Sequence, residues 1–175
     1  MVETMSTIGV AIAIPEPAAT DLRRRRRSYG DELAGQIPTH VTLLPPNAVS
    51  GSELPDVTKH LHEVATRHAP FELYLCGSDT FRPISPVVFV TVDTGISECE
   101  RLATDVRSGP LQRDLVFPFH PHVTVAHDLP EHVLDQAYQE LANYECRFTV
   151  NSFGLFEHAD GRGWSSQREF ALAGD

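Results

Sequence analysis

Two stretches of this chain carry the same phrase. "THVTLLPP" begins at Thr39 and "HPHVTVAHDLP" begins at His120, each with His-Val-Thr followed by apolar residues and, a little later, a proline. With nine histidines in 175 residues, one such triplet would carry little weight. What constrains the fold is that the elements around each triplet come in the same order.

The first half opens on an apolar run of strand length, Thr7–Ile14, punctuated by Pro15 and Pro17. The pattern then predicts a helix over Thr20–Ala34, stopped by Gly35 and Pro38. "HVTLL" (His40–Leu44) reads as a strand ended by Pro45-Pro46. Ser52 is the expected cap of a helix to about His68, with Leu54, Val57, Leu61, Val64 and Ala65 at helical spacing. "FELYLCG" (Phe71–Gly77) alternates as a half-buried strand does. The second half repeats the order. Val87–Val92 is a strand and Ile96–Val106 a helix ended by Gly109-Pro110. "HVTVA" (His122–Ala126) is a strand and Glu131–Leu141 a helix. "CRFTVNSFGLFEH" and "WSSQREFAL" are closing strands around the turn "ADGRG". The first strand lies about 30 residues before the triplet in both halves, a sign of duplication in architecture. The mixture of helices and strands gives an α+β or α/β class. A single domain over 1–175 is expected, with half-repeats over 6–80 and 85–175.

In a strand, residues i and i+2 point to one face. His40 and Thr42 therefore project together, as do His122 and Thr124, while Val41 and Val123 turn to the core. Halves related by an approximate twofold would bring two imidazoles and two hydroxyls to one cleft. Two imidazoles suit acid–base work near neutral pH, and two hydroxyls can donate to anionic oxygens. In-line displacement at a phosphodiester uses these parts and needs no metal.

Two H-x-T motifs on strands of a duplicated chain resemble the 2H phosphoesterase superfamily, in its LigT-like 2′-5′ RNA ligase or cyclic phosphodiesterase branch. The resemblance runs from "IGVAIAIP" to "REFAL". It implies a bilobal α+β fold in which two antiparallel sheets form a central cleft and the helices lie outside. It implies cleavage of 2′,3′-cyclic or 2′-5′ phosphodiesters, and in some members the joining of RNA ends. By the same resemblance His40 and His122 are the catalytic pair and Thr42 and Thr124 the phosphate ligands, with no cofactor. Two other readings stay open. One is a non-catalytic module that binds a nucleotide or RNA end in the same pocket. The other is a zinc or nickel site at His120, His122 and His127, beside Asp128.

Composition narrows the partners. The net charge is −10, so no extended nucleic-acid surface is expected, and the substrate is expected to be a small nucleotide or an RNA end. The run Arg23–Arg27 winds around a helix at about 100° per residue, which makes it a solvated, partly salt-bridged surface from which one or two arginines could edge the cleft. Arg82 and Arg168 are candidate phosphate contacts near strand ends. Phe119 and Phe81 are candidate stacking partners, and His120 a further substrate contact. His60, His62 and His68 are expected at the surface of the second helix. The three cysteines, Cys76, Cys99 and Cys146, are too widely spaced for a zinc pair and read as reduced thiols of a cytoplasmic protein. "IGVAIAI" lacks a basic segment before it and reads as a strand rather than a signal core. No apolar stretch has the length of a membrane span. A monomer is expected.

Overall fold

The computed structural model describes residues 3–175; the first two positions of the expected 1–175 domain lie outside the described residues. The apolar runs pair into two four-stranded antiparallel sheets. One has the order β2-β1-β7-β8, from His40–Ser50, Met5–Ala13, Ser152–Ala159 and Gly163–Ala171. The other has the order β5-β4-β3-β6, from His122–His127, Val87–Thr94, Phe71–Thr80 and Glu145–Val150. Four helices accompany them: α1 (Ala18–Ser28), α2 (Leu54–Thr66), α3 (Ile96–Val106) and α4 (Glu131–Glu140). The expected α+β class with paired antiparallel sheets is the observed one.

The sheets are not the two halves of the sequence. After α2 the chain crosses over, so that β3 pairs with β4 of the second half. The predicted closing strand "CRFTVNSFGLFEH" is two strands in different sheets. Asn151 alone separates β6, paired to β3, from β7, paired to β1. The helices cross as well, α1 packing against β5 and α3 against β2. Tyr29, just past α1, donates from its hydroxyl to Glu140 Oε2 of α4 at 2.6 Å.

Helical periodicity explains the layers. α2 buries Val57, Leu61, Val64 and Ala65, and α3 buries Cys99, Leu102, Ala103 and Val106, each set spaced to one face. His60 and His68 join these helices rather than facing solvent freely. His60 Nε2 lies 3.0 Å from the Val106 carbonyl, and His68 Nε2 lies 2.7 Å from Asp105 Oδ2.

Other boundaries differ from the sequence pattern for local reasons. The helix expected over Thr20–Ala34 stops at Ser28, because Gly30 takes a left-handed conformation at φ 94°. A short 3₁₀ turn, Glu32–Gly35, follows, capped by Asp31, whose Oδ1 accepts the Leu33 N–H at 2.9 Å. Ser52 does not cap α2. Its hydroxyl bonds to Glu3, and Glu53 precedes the first helical residue while accepting the Ser50 N–H at 2.7 Å. Pro45-Pro46 do not end β2. The pairs Ile8↔Asn47 and Val10↔Leu44 leave both prolines opposite Gly9 alone, as a bulge. β2 is an edge strand, so the missing N–H groups break no inner ladder.

Leu75 on β3 is fully buried, and its strand pairs with β4 on one side and β6 on the other. Leu75→Ala should destabilise the fold by about 2–5 kcal/mol. Urea unfolding should show a lower midpoint at unchanged slope. A loss below about 1 kcal/mol would mean that this strand does not tie the second sheet together.

Candidate active site

Each H-x-T phrase lies on the edge strand of a different sheet, β2 or β5, and these two edges pack against each other. Val41 and Val123 are completely buried, and His40, Thr42, His122 and Thr124 line one cleft of about 300 Å³. The strands share a further irregularity. On β2, Val10↔Leu44 is followed by Ala11↔Thr42; on β5, Val88↔Ala126 is followed by Phe89↔Thr124. One residue, Leu43 or Val125, is therefore extra at the same place in each strand. Burial follows suit. After the half-buried threonine, two successive residues are buried in both: Leu43 and Leu44, Val125 and Ala126.

On β5 the extra residue shifts the alternation, so the lining passes from Thr124 to His127. On β2, which carries a second bulge at its prolines, the lining runs on through Leu44 and Pro46, and Pro45, at the position equivalent to His127, is not part of it. Asp128, next to His127, has φ 56°, and its N–H bonds to the Pro86 carbonyl at 3.1 Å.

Both paired imidazoles are oriented by the same device. His40 Nδ1 lies 2.5 Å from the carbonyl of Pro38, and His122 Nδ1 lies 2.7 Å from that of His120. A carbonyl can only accept, so Nδ1 carries the proton and Nε2 is left to exchange protons with whatever occupies the cleft. Burial pushes both pKa values below the ordinary imidazole value. For His40 the Pro38 carbonyl opposes this and the Arg26 charge adds to it. For His122 the carbonyl of His120 opposes it, and the His120 and His40 charges add to it.

Arg26 belongs to the arginine run but not to its solvated surface. Its residue surface is only 8% exposed; its Nε bonds to Asp31 Oδ2 at 2.6 Å, and it lines the cleft. One turn earlier on the same helix face, Leu22 is buried too, and this spacing with an acidic residue close behind was the available signal. Arg25 stays half-exposed, paired with Asp21 at 3.2 Å.

The other candidates fall outside the cleft lining. Arg82 Nη1 bonds to Glu131 and Asp135 of α4 at 2.9 and 2.8 Å. Arg168 is exposed on β8, its Cζ 5.7 Å from the Phe170 ring. Phe119 packs against the core beneath Arg107. Phe81 and Phe89 stand 4.9 and 5.1 Å from the His122 ring and support it from behind. His120 is exposed, 6.4 Å ring to ring from His122. Among the described residues no group of three or more His, Cys, Asp or Glu side chains is placed to hold a metal ion, so the His120/His122/His127 alternative does not form a ligand set. Sequence alternation missed Trp164 and Phe156, which line the far end of the cleft.

Two H-x-T edge strands facing one cleft, in a bilobal α+β frame, are the arrangement of a 2H phosphoesterase. The chain belongs to the 2′-5′ RNA ligase superfamily, whose family model matches residues 14–162. It is similar over nearly its whole length to proteins named "Putative phosphoesterase". One from Halalkalibacterium halodurans is 29% identical, with 94% of this chain and 96% of that protein covered. One from Geobacillus thermodenitrificans is 24% identical, at 93% and 95% coverage. The fold is that of TT0787 of Thermus thermophilus (TM-score 0.70, 22% identity, covering 97% of this chain and 99% of that one). It is equally that of E. coli LigT in its complex with 3′-AMP (TM-score 0.70, 19% identity, the same coverage). No helix among the described residues is long and apolar enough to cross a membrane.

A histidine whose pKa is depressed by folding is held neutral by the fold. The unfolded chain takes up protons as pH falls through about 6.5, so the stabilisation is full above that pH and declines until pH passes below the folded values. An NMR titration should therefore place the His40 and His122 midpoints below about 6.5, and unfolding free energy should fall on acidification from pH 7. Midpoints at or above about 6.5 would contradict the desolvation of these rings.

Proposed function

We propose that this phosphoesterase hydrolyses 2′,3′-cyclic or 2′-5′ phosphodiesters of small nucleotides or RNA ends, with His40 and His122 as base and acid. The observation that carries the reading is the repeated clamp: two imidazoles on one cleft, each with Nδ1 bound to the carbonyl two residues back and Nε2 free.

The scheme is an in-line displacement. A neutral imidazole takes a proton from water as its oxygen attacks phosphorus. The P–O bond on the opposite side breaks, and the protonated imidazole delivers its proton to the departing ribose oxygen, leaving a phosphomonoester. The Thr42 and Thr124 hydroxyls donate to the non-bridging oxygens as charge develops there. Both rings are pushed toward the neutral form, but the charge beside His40 is the permanent one of Arg26, whereas those beside His122 belong to other imidazoles; on that difference we assign the base to His40 and the acid to His122. With the 5′-hydroxyl of a second strand in place of water, its oxygen attacking a 2′,3′-cyclic phosphate as the 3′ oxygen departs and takes the proton, the same side chains would join RNA ends through a 2′-5′ linkage.

A small substrate is supported by the net charge of −10, which discourages an extended polyanion. It is supported also by the similar E. coli LigT, whose structures include complexes with 3′-AMP, NADP+ and ATP. Both histidines come from one chain, so a monomer suffices. Three unpaired cysteines suit a reducing cytoplasm.

His40→Ala and His122→Ala should each lower turnover of 2′,3′-cyclic nucleotides by about 10² to 10⁴. A nitrophenyl phosphodiester, whose leaving group needs no proton, should recover much of the loss for His122→Ala and little for His40→Ala. The reverse pattern would exchange the two roles, and near-wild-type activity in either variant would remove the pair from the chemistry. Because both rings titrate low in the free enzyme, kcat/KM should be bell-shaped with its maximum below about pH 6.5. Thr42→Val and Thr124→Val should lower the bell by about 10²–10³ and keep its shape. Activity should persist in EDTA.

A further inference from the structure

The acid–base scheme uses only part of the cleft. Away from the histidines its wall is Gly9, Val10, Leu44, Pro46, Phe156 and Trp164. A phosphate group has no use for such a wall, and a cleft of about 300 Å³ is of the size that holds a small organic ligand.

Trp164 is the one tryptophan of the chain, half-buried, and its seat is built by glycines. At Gly9 a Cβ would stand 3.3 Å from Cζ3 of the indole, so the bare backbone of β1 is the bed for its six-membered ring. Gly163 has φ 72°, and a Cβ there would stand 2.6 Å from the Gln36 carbonyl. That close approach lets the backbone N–H of Trp164 donate to the same carbonyl at 2.9 Å, which fixes the start of β8 against the loop before His40. The His158 ring meets the indole at 5.2 Å and 58°. A large aromatic surface is thus held in place with part of its area open to the cleft.

We propose that Trp164 is the stacking platform for the substrate's nucleobase, and that it accepts purines and pyrimidines with little discrimination. The proposal rests on the phosphodiester reading of the same cleft. Every base has a π face, so stacking alone is tolerant of base identity. Reading a base edge requires donors and acceptors beside the ring, and the side chains of this wall are aliphatic or aromatic. The site therefore selects a nucleotide over a sugar phosphate without selecting among nucleotides.

The test uses 2′,3′-cyclic AMP, 2′,3′-cyclic CMP and ribose 2′,3′-cyclic phosphate, which lacks a base. With one tryptophan, fluorescence reports the ring directly. Both nucleotides should quench it at concentrations near their KM, and the base-less ester should not. In Trp164→Ala, folded by its thermal melt, kcat/KM for the nucleotides should fall about ten- to a hundredfold, mainly through KM. The base-less ester should lose much less, so that the wild-type preference for nucleotides collapses, and Trp164→Phe should restore most of it. A preference that survives Trp164→Ala, or a wild-type enzyme that prefers cyclic AMP over cyclic CMP by more than about a hundredfold, would overturn the proposal. Should wild-type protein turn over none of the three esters, the phosphodiester reading fails by itself. Quenching of Trp164 by 3′-AMP, with ribose 3-phosphate silent, then supports the platform, and equal silence of both overturns it.

Discussion

The cleft depends on two edge strands from different sheets meeting without forming a common ladder. β2 and β5 each present His and Thr on one face and bury the valine between them, and each leans on the other half's helix, α3 behind β2 and α1 behind β5. The bulges at Leu43 and Val125 break a continuous edge at the same depth on both sides. Bulges twist an edge away from further pairing, which keeps open a gap that two regular strands would tend to close. The rings are set into the walls of that gap, and their burial there lowers their pKa values, while the carbonyl clamps on Nδ1 are local, each reaching two residues back in its own segment.

Much of this was legible in the chain. Alternation over His-Val-Thr placed both side-chain pairs on one face, and the repeated element order anticipated that the two faces would converge. What stayed hidden was hidden for physical reasons. A bulge breaks the period of two that a strand pattern relies on, so His127 changed face without a compositional mark except the doubled apolar residues Leu43-Leu44 and Val125-Ala126. The exchange of β3 and the turnover at Asn151 depend on long-range pairing, which a local pattern does not encode. Arg26 vanished into a run of five identical residues, although its neighbour one turn away, Leu22, marked the buried side. Trp164 drew no notice because its role depends on Gly9, far away in sequence.

The frame is nearly symmetric and its furnishings are not. Ala11 pairs with Thr42 where Phe89 pairs with Thr124, so His122 has an aromatic backing of Phe81 and Phe89. His40 has the Arg26–Asp31 ion pair nearby instead. Pro45 and His127 differ in the same way. The two phrases place their imidazoles in equivalent backbone settings, and the proposed displacement at phosphorus would use them inequivalently. The surrounding side chains differ around the two rings while the backbone holds them alike.

The single residue between β6 and β7 has a mechanical consequence. Asn151 is the whole tether where the chain passes from one sheet to the other, and a short link after α2 makes the passage in the opposite direction. Two lobes joined by one long linker can swing apart; two lobes laced twice by short tethers, with each lobe's helix wedged behind the other's edge strand, resist opening. Such a cleft admits ligand as a standing slot rather than a jaw. A slot of this kind would select by its width and would need little reorganisation of the backbone between empty and filled states.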